Sequence, residues 1–429
     1  EDVGITTVQA CGDSARNVLC CPVSGTSHEE VIDAYPVAQA ISDYFTGNRE
    51  YANLPRKFKM SVTGCLEDCA QAEINDIGLL PARHEDGTIG FNLRVGGGLS
   101  DGPRMASDID VFVRAEDAVE ITRGIAQVFG ELGNRENRWL ARMRYLVQEL
   151  GPEQFREELQ KRLSIELEPA GEDLTKRYRG DHVGVHPQGS KGGSRTAPIA
   201  FSAPTALYYV GLNVPVGRMS GEQFAEAGRL AEEYGGEIRL ATDQNLIITG
   251  VPEDRLDDLL AEPLLQWYSP NPGAFERGVV ACTGSEFCRF AIVETKIRAL
   301  EWAREMDQRV GDTGQEVVRM HFSGCSASCA QPQIGDIGFR GETAKTQDAI
   351  VEGVDIGLGG SLGMDAAFID WVEGARPVDE VPDALVRIFE RFRDEGREGE
   401  RFHEWARRTQ NRELRGTLKG CQAVSIGRK

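Results

Sequence analysis

The sequence predicts a mixed α+β (α/β) fold in which two copies of one unit are related by pseudo-twofold symmetry, with a smaller α+β module between them. The first observation is an internal repeat: residues 60–78 and 320–338 share Met, Gly, two Cys, Ala, Gln, Ile, Asp, Ile and Gly at a constant offset of 260 positions. The second is a shorter match of Ala10-Cys11-Gly12 with Ala281-Cys282-Thr283. Two copies of one long unit indicate gene duplication, because solenoid repeats recur every ~20–50 residues.

Local patterns predict the elements around this repeat. Residues 180–206 are rich in Gly, Ser and Pro, which is typical of a linker or long loop. A strand over 207–217, a helix over 221–234, a strand region over 237–249 and a helix near 255–265 together predict a compact α+β module. Further helices are predicted over residues 28–45, 115–131, 136–150, 288–308 and 383–394.

Composition narrows the class of protein. The 40% apolar and 27% charged residues are ordinary for a globular protein, and we find no run of about 18 apolar residues and no signal peptide. We therefore expect a cytoplasmic protein that does not enter membranes. The net charge is −20, and only 9 of the 48 basic residues are Lys. This acidic, Lys-poor composition disfavours nucleic acid and anionic lipid as partners, and it suggests a halophilic source.

The cysteines indicate a metal centre. Nine of the ten cysteines fall into local groups, and clustered cysteines in a protein without a signal peptide are more often metal ligands than disulfide partners. Cys282, Cys288, Cys325 and Cys329 supply the four thiolates that a [4Fe–4S] cluster needs, one for each iron. Their spacings, with five and three intervening residues, differ from the two-residue gaps usual in structural zinc sites. Buried structural thiols are the alternative interpretation.

These motifs resemble those of the ferredoxin-dependent siroheme nitrite and sulfite reductases of the assimilatory type, over nearly the whole chain. Residues 281–288 (Ala-Cys-Thr-Gly-Ser-Glu-Phe-Cys) are similar to the first ligand motif of the family, and residues 324–331 (Gly-Cys-Ser-Ala-Ser-Cys-Ala-Gln) to the second. The family's usual Pro-Asn after the first Cys is Ser326-Ala327 here. The resemblance implies two cofactors, a [4Fe–4S] cluster and siroheme, with Cys329 bridging the cluster to the siroheme iron.

The resemblance also implies site residues. Arg16, Lys57 and Lys59 match the cations that face the bound anion, where they would offset its charge and relay protons. Siroheme carboxylates need basic groups and backbone N–H donors, and the expected cofactor-binding residues are Arg94, Gly97, Gly98, Arg239, Thr242, Gln244, Asn245 and Cys329. Surface ion pairs for the cations and tight turns for the glycines are the alternatives.

The resemblance divides the chain into three domains. Residues 1–170 are expected to form the first siroheme reductase repeat, residues 180–268 a ferredoxin-like half-module, and residues 269–429 the second repeat with the cluster and siroheme. Family members normally begin with another such half-module. Because no counterpart precedes residue 1, and the sequence does not begin with Met, we expect a piece of a longer protein.

Three groups of residues keep two interpretations each. The first repeat keeps five cysteines, which form either a second iron–sulfur cluster site or, as we favour, a former cluster site that has lost its cluster and now helps to frame the siroheme. These are Cys11, Cys20, Cys21, Cys65 and Cys69. The i,i+4 histidines of His182-Val-Gly-Val-His186 suggest a metal pair, but the Gly and the β-branched residues argue against a helix there. Four arginines in or directly before the helix predicted over 136–150 either guide an acidic ferredoxin or, as we favour, form a solvated helix face. These are Arg135, Arg138, Arg142 and Arg144.

The predicted function is the six-electron reduction of sulfite to sulfide or of nitrite to ammonia, with ferredoxin as electron donor. We lean slightly to sulfite because the Lys57 and Lys59 pair resembles the sulfite branch; a nitrite reductase is the alternative. A precorrin-modifying oxygenase on the same scaffold and a plain iron–sulfur electron carrier are further alternatives, and the retained cations argue against both. The chain lacks a G-x-G-x-x-G nucleotide fingerprint at Gly96-Gly97-Gly98, so electrons must come from a separate protein.

Overall fold

The first repeat is built on one mixed sheet. The computed structural model describes residues 6–175, 180–189 and 206–420. The elements of the first repeat are β1 (Ala15–Cys20), α1 (Tyr35–Phe45), β2 (Phe58–Val62), β3 (Ile77–Arg83), β4 (Ile89–Val95), β5 (Ser107–Val113), α2 (Ala118–Leu132), α3 (Met143–Gln160) and β6 (Glu172–Asp173). The sheet order is β1-β2-β3-β4-β5, with β6 beside β3. The pairs β1–β2 and β2–β3 are parallel, and β3–β4 and β4–β5 are antiparallel.

A smaller antiparallel sheet follows. Its elements are β7 (Gly184–Pro187), β8 (Leu207–Leu212), α4 (Gly221–Tyr234), β9 (Glu237–Leu240), β10 (Leu246–Pro252), α5 (Leu256–Leu260) and α6 (Pro263–Trp267), with the strand order β7-β8-β10-β9. Helix α4 begins at a capping box, in which the Ser220 hydroxyl accepts the Gln223 N–H and the Gln223 side chain accepts the Ser220 N–H. This sheet and its helices are the predicted α+β module.

The second repeat has the same sheet as the first. Its elements are α7 (Ala274–Gly278), β11 (Val279–Ala281), α8 (Gly284–Phe287), α9 (Lys296–Val310), β12 (Met320–Ser323), β13 (Ile337–Lys345), β14 (Ile350–Leu358), β15 (Asp370–Pro377), α10 (Val381–Glu395), α11 (Phe402–Arg408) and α12 (Asn411–Leu418). The order is β11-β12-β13-β14-β15, again with two parallel pairs and then two antiparallel pairs. The predicted duplication is therefore confirmed.

The pseudo-twofold relation extends to single residues. Met60 pairs with Ile77 on the neighbouring strand, as Met320 pairs with Ile337, and the offset is 260 in both cases. Gln71 and Gln331 both adopt the left-handed backbone conformation, at φ 59° and 58°. The side-chain amide of Gln331 donates a hydrogen bond to the side-chain oxygen of Gln71. Because equivalent side chains meet each other, the pseudo-twofold axis passes between these two glutamines.

The strand registers make Cys21, and not Cys11, the counterpart of Cys282. Cys21 and Cys282 each directly follow the first strand of their repeat. Cys20 pairs with Val62 in the first repeat, and Ala281 pairs with Phe322, which lies 260 positions after Val62, in the second. Cys20 and Ala281 are therefore equivalent, and so are the cysteines that follow them. The predicted match of Cys11 with Cys282 is therefore wrong. The register of β1 shifts between Ala15 and Val18, and a three-residue sequence match does not locate such an irregularity.

Each of the three segments has its own hydrophobic core. In the first repeat, helix α2 buries Ile121, Ile125, Val128 and Phe129, whose three- and four-residue spacing places them on one face. The domain boundaries predicted at 1–170, 180–268 and 269–429 stay predictions. In the described part of the chain, no helix is both long and apolar enough to cross a membrane.

Two predicted elements of the second half differ in the structure. The helix predicted over 288–308 begins at Lys296, because the residues after Cys288 form a loop. The strand region predicted over 237–249 is a hairpin of β9 and β10, with Gln244 in the turn at φ 68°. Alternation of apolar and polar residues does not reveal where such a turn interrupts the strand.

Three other elements differ, two in the first half and one in the linker. The helix predicted over 28–45 begins only at Tyr35. The helix predicted over 136–150 begins at Met143 and is interrupted at Gly151, whose φ is 75°. Within the linker predicted over 180–206, strand β7 pairs with β8, while residues 190–205 lie outside the described residues.

A buried aspartate ties the central strands of each repeat together. Asp76 accepts the backbone N–H of Lys59 at 2.9 Å, and its counterpart Asp336 accepts that of Arg319 at 2.7 Å. In the second repeat the side chain of His403 lies between Asp336 and Asp365, with 2.9 Å to each carboxylate. Burial by itself would lower the pKa of His403, but the two carboxylates outweigh it and raise that pKa to about 9. The structure thus holds a charged imidazole between two carboxylates.

His403 should make stability depend on pH. Because its folded pKa of about 9 lies above the ordinary value near 6.5, its contribution is full below pH ~6.5 and is lost as the pH rises through about 9. The shift corresponds to about 3 kcal/mol. The difference in apparent Tm between the wild type and His403→Gln should therefore shrink between pH 6.5 and 9.5 in thermal melts. His28→Gln, at a half-exposed histidine, is the control, and a pH-independent difference for His403→Gln would contradict the assignment.

Candidate active site

The four predicted cluster cysteines converge at one edge of the second sheet. Cys282 directly follows β11, and Cys325 and Cys329 follow β12, its parallel neighbour, so the carboxyl ends of the two strands bring these thiols together. Cys288 enters from the end of the short helix α8. Burial and the nearby thiols of Cys282, Cys325 and Cys288 raise the pKa of Cys329, which places all four in electrostatic contact.

The surroundings of Cys282 suit an anionic thiolate. Its sulfur accepts the backbone N–H of Gly284 at 3.4 Å and that of Gly324 at 3.2 Å. A Cβ on Gly324 would lie 2.8 Å from the Cβ of Ala291, so this close approach of the backbone needs glycine. N–H donors aimed at a sulfur stabilise its charged form, which is the form that binds iron.

The spacing of the four sulfurs also suits a cluster. Among the residues that the structure describes, no three of these four sulfur atoms lie within 4.8 Å of one another. A [4Fe–4S] cluster takes one thiolate at each iron, so its ligands stand farther apart than the ligands of a single ion. The residues present therefore fit the cluster.

Cations gather on the open side of this site. Lys57 and Lys59 lie in electrostatic contact with Cys329, which is the exposed thiol of the four. Burial, with the charges of Arg142 and Lys59, lowers the pKa of Lys57 to about 8. Burial and the charge of Arg142 also lower the pKa of Lys59. Positive groups close together beside an exposed sulfur fit an anionic ligand and the carboxylates of siroheme.

Arg16 reaches the same cluster of cations. Its charge contributes to the lowered pKa of Lys59. Its guanidinium donates hydrogen bonds to the backbone oxygens of Ala10 and Gly12, the latter at 2.7 Å. The loop before β1 thus orients Arg16 toward the lysines. The structure brings together all three residues predicted to face the anion, while their catalytic role stays a prediction.

Arg142 is a site residue that the sequence interpretation missed. Its side chain is 11% exposed and pairs with Asp76 at 3.0 Å, close enough to Lys57 and Lys59 to lower both pKa values. Arg144 is buried and donates to the backbone oxygens of Leu99 and Asp101. The favoured prediction of a solvated helix face is therefore wrong for both, because helix α3 begins only at Met143 and packs inward. Nothing in the local sequence distinguishes these arginines from their exposed neighbours.

The glycine segment after β4 uses its N–H groups within the fold. The N–H of Gly97 donates to the oxygen of Asn75 and that of Gly98 to the oxygen of Arg104, each at 2.9 Å. A Cβ on Gly97 would lie 2.6 Å from the same Asn75 oxygen. These glycines therefore permit close backbone packing, and their N–H groups are not free to bind siroheme carboxylates. Arg94 lies on β4 and pairs with Asp173 at 3.5 Å.

The polar residues predicted on the half-module contact both repeats. Arg239 donates to the oxygens of Pro22 and Ser24, at 3.1 and 2.8 Å, and the Thr242 hydroxyl donates to the oxygen of Cys69 at 3.0 Å. These two side chains connect the half-module to the first repeat. Their predicted contact with siroheme stays a prediction.

Gln244 and Asn245 complete that connection. The Gln244 side chain exchanges two hydrogen bonds with the backbone of Ala281, the residue before Cys282. Asn245 is buried and accepts the N–H of Val214 within the half-module. The half-module therefore supports the strand end from which Cys282, a predicted cluster ligand, extends.

The cysteines of the first repeat do not form one group. Cys21, Cys65 and Cys69 are buried together, while Cys11 is exposed and Cys20 is half-buried. Cys421, the tenth cysteine, lies outside the described residues.

Comparison with known proteins agrees with this architecture. Residues 11–167 and 273–419 match the family described as "Nitrite and sulphite reductase 4Fe-4S domain", and residues 202–265 match "Nitrite/Sulfite reductase ferredoxin-like half domain". The solved structure of the Mycobacterium tuberculosis NirA protein superposes with a TM-score of 0.88 at 32% identity, covering 96% of this chain and 74% of that one. The fold and the cysteine site thus define a duplicated iron–sulfur reductase scaffold.

Curated relatives give the same assignment. The assimilatory ferredoxin-dependent nitrite reductase of Haloferax mediterranei is 42% identical over 94% of this chain and 70% of its own length. The ferredoxin–nitrite reductase of Synechococcus elongatus is 40% identical over 91% of this chain and 74% of its own. This chain belongs to the nitrite and sulphite reductase family, whose cofactors are a [4Fe–4S] cluster and siroheme. The haloarchaeal relative also agrees with the halophilic character expected from composition.

Replacing one cluster ligand should remove the cluster. In Cys325→Ser we expect the iron content to fall by about four atoms per chain and the electron paramagnetic resonance signal of the reduced cluster to disappear, because one iron loses its thiolate. Cys11→Ser is the matched control, since Cys11 is exposed and outside the site. An unchanged signal in Cys325→Ser would contradict the ligand assignment.

Proposed function

We propose that this chain reduces nitrite to ammonia by six electrons, with ferredoxin as the electron donor. Relatives that carry this activity in their names are 40–42% identical over more than nine-tenths of the chain. The slight lean to sulfite finds no support among these relatives, and the nitrite alternative takes its place. The observation that supports an anion reductase most directly is the convergence of Lys57, Lys59 and Arg142 beside Cys329.

The cations have two tasks in this reaction. Nitrite takes up six electrons and eight protons to give ammonium and two waters, so the site must both bind negative charge and deliver protons. Siroheme, when bound, would supply an iron that coordinates the anion, and the cluster would supply the electrons. Lys57, with its pKa lowered to about 8, is able to give up a proton near neutral pH.

Arg142 has a different task from the lysines. It is held at Asp76, whose carboxylate is fixed in turn by the backbone N–H of Lys59. One guanidinium nitrogen of Arg142 contacts both oxygens of the Asp76 carboxylate, at 3.1 and 3.0 Å, so the side chain stays charged and in place as a fixed positive group. We infer that Arg142 holds the anion's charge and that the lysines exchange protons.

A surface beside Cys288 suits a protein electron donor. Phe287 and Phe290 are 75% and 69% exposed on the two sides of Cys288, and the exposed Arg289 guanidinium lies 5.0 Å over the Phe290 ring. Large exposed aromatic groups next to a cation are typical of docking surfaces. Since Cys288 is a predicted cluster ligand, a donor bound here lies directly against the electron entry point.

The choice of anion is tested by steady-state kinetics. In the full-length holoenzyme with reduced ferredoxin, we expect kcat/KM for nitrite to exceed that for sulfite by at least tenfold. Both anions are measured with the same enzyme preparation and the same ferredoxin concentration, so cofactor loading cancels in the ratio. A ratio below one would return the assignment to sulfite. Absence of turnover with either anion, in an enzyme with full siroheme and cluster content, would contradict the proposed function.

The docking surface is tested with two electron donors. In Phe287→Ala/Phe290→Ala we expect KM for ferredoxin to rise at least fivefold, while the rate with dithionite-reduced methyl viologen stays unchanged, because a small donor does not need the surface. Trp267→Ala is the matched control, since Trp267 is 74% exposed on helix α6 of the half-module. Equal losses with both donors would indicate damage to the cluster and would contradict a docking role.

A further inference from the structure

Three buried thiols and one imidazole converge where the first repeat meets the half-module. Cys21 follows β1, Cys65 and Cys69 follow β2, and His182 precedes β7. The sulfurs of Cys65 and Cys69 are 3.7 Å apart, and the sulfur of Cys21 lies 3.8 Å from Nε2 of His182. The ligand atoms of Cys21, Cys69 and His182 all lie within 4.8 Å of one another. Cys65 borders this group through its 3.7 Å contact with Cys69, but its sulfur lies more than 4.8 Å from at least one of the other three ligand atoms, so its side chain must move toward the ion on binding.

These separations are those of ligands around one ion. With Zn–S bonds of about 2.3 Å and Zn–N bonds of about 2.0–2.1 Å, a tetrahedral site places two sulfurs about 3.8 Å apart and a sulfur and a nitrogen about 3.6 Å apart. The observed 3.7 and 3.8 Å match these values. The predicted cluster cysteines of the second repeat are spaced differently. All four are described by the structure, and no three of their sulfur atoms lie within 4.8 Å of one another.

We propose that Cys21, Cys65, Cys69 and His182 bind one zinc ion as a closed Cys3His structural site. Zinc displaces the three thiol protons on binding, including the one that Cys65 shares with the backbone oxygen of Glu67, and the imidazole binds through its neutral Nε2. No oxidant or reductant is required, because zinc does not change its oxidation state. Neither a second iron–sulfur cluster nor a decayed cluster site is then needed to account for these cysteines.

The environment of His182 and the thiols supports a structural site. The Tyr209 hydroxyl lies 3.4 Å from Nδ1 of His182, where it holds the ring with Nε2 toward the sulfur of Cys21. Val23, Tyr209 and Ile247 pack around the three thiols. Four protein ligands leave no coordination position for a substrate, which is typical of structural rather than catalytic zinc.

The duplication explains where these ligands come from. By strand register and repeat alignment, Cys21, Cys65 and Cys69 are the counterparts of the cluster ligands Cys282, Cys325 and Cys329. The fourth cluster ligand, Cys288, lies on helix α8, and no helix of the first repeat occupies the corresponding place between β1 and α1. In the first repeat the fourth ligand comes instead from the segment that leads into the half-module.

The zinc ion would join two parts of the molecule. Two of its ligands, Cys21 and Cys69, lie where the half-module already contacts the first repeat. Thr242 donates to the backbone oxygen of Cys69, and Arg239 donates to that of Pro22, the residue after Cys21. The third segment, at His182, enters the half-module sheet. A metal bond across this junction fixes the half-module against the first repeat.

The proposal is tested by metal analysis of the full-length holoenzyme, produced with zinc and iron in the medium. We expect about one zinc per chain in addition to the iron of the cluster and siroheme. Cys69→Ser should lower zinc at least fivefold with the iron content unchanged, whereas Cys20→Ser, at the neighbouring cysteine, should keep it. Zinc below a tenth of an atom per chain, or equal losses in the two variants, would overturn the proposal. Neither result depends on which anion is reduced, so the proposed function and the zinc site fail separately.

A measurement on the unaltered protein covers the case in which Cys69→Ser does not fold. Zinc-edge X-ray absorption of the wild-type holoenzyme should give three sulfur neighbours at about 2.3 Å and one nitrogen at about 2.0–2.1 Å. A zinc shell of oxygen and nitrogen alone would overturn the proposal, as would additional iron in place of zinc.

Discussion

The parallel pairing of the first two strands in each repeat is the constraint on which the rest of the structure depends. Parallel neighbours end at the same edge of a sheet, so the residues that follow β1 and β2, or β11 and β12, must lie side by side. In both repeats these residues are cysteines: one directly after the first strand and two, separated by three residues, after the second. The covalent chain alone would leave them more than 30 positions apart. The position of these cysteines therefore depends on the register of short parallel strand pairs. The buried aspartate of each repeat binds an N–H near the start of the second strand and so connects that strand to the third.

The half-module is bound to both repeats through side chains that reach their backbones. Gln244 pairs with Ala281 much as a neighbouring strand would, and Arg239 and Thr242 bind the segments around Cys21 and Cys69. Such contacts stabilise the strand ends from which the metal ligands extend. A module that binds no part of the cluster itself thus affects the geometry of both cysteine groups.

Much of this arrangement could be predicted from the sequence, because it depends on residues that repeat or cluster. The two halves, the four cluster cysteines and the cations Arg16, Lys57 and Lys59 all have local signals. Arg142 had none, since its function comes from the depth to which the start of helix α3 is buried. The sequence argued against a metal pair of His182 and His186 because no helix was expected there. In the structure, Nε2 of His182 lies 3.8 Å from the sulfur of Cys21, which is more than 100 positions away in the chain. The glycines of residues 96–98 were predicted to bind a ligand, but their N–H groups pair with nearby backbone, which spacing cannot reveal.

The two repeats place different fourth ligands on one frame. Three ligand positions are common to both, so the difference rests on the fourth. In the second repeat, Cys288 comes from a separate short helix, and the sulfurs stay far enough apart for a multi-iron cluster, with Cys329 exposed toward the cations. In the first repeat, Nε2 of His182 lies 3.8 Å from the sulfur of Cys21, and the sulfurs of Cys65 and Cys69 lie 3.7 Å apart, which are distances typical of ligands around a single ion. An exposed cluster exchanges electrons, while a closed ion only joins chain segments. Duplication supplied both groups of cysteines, and under the proposed zinc assignment the source of the fourth ligand decides which of the two takes part in electron transfer.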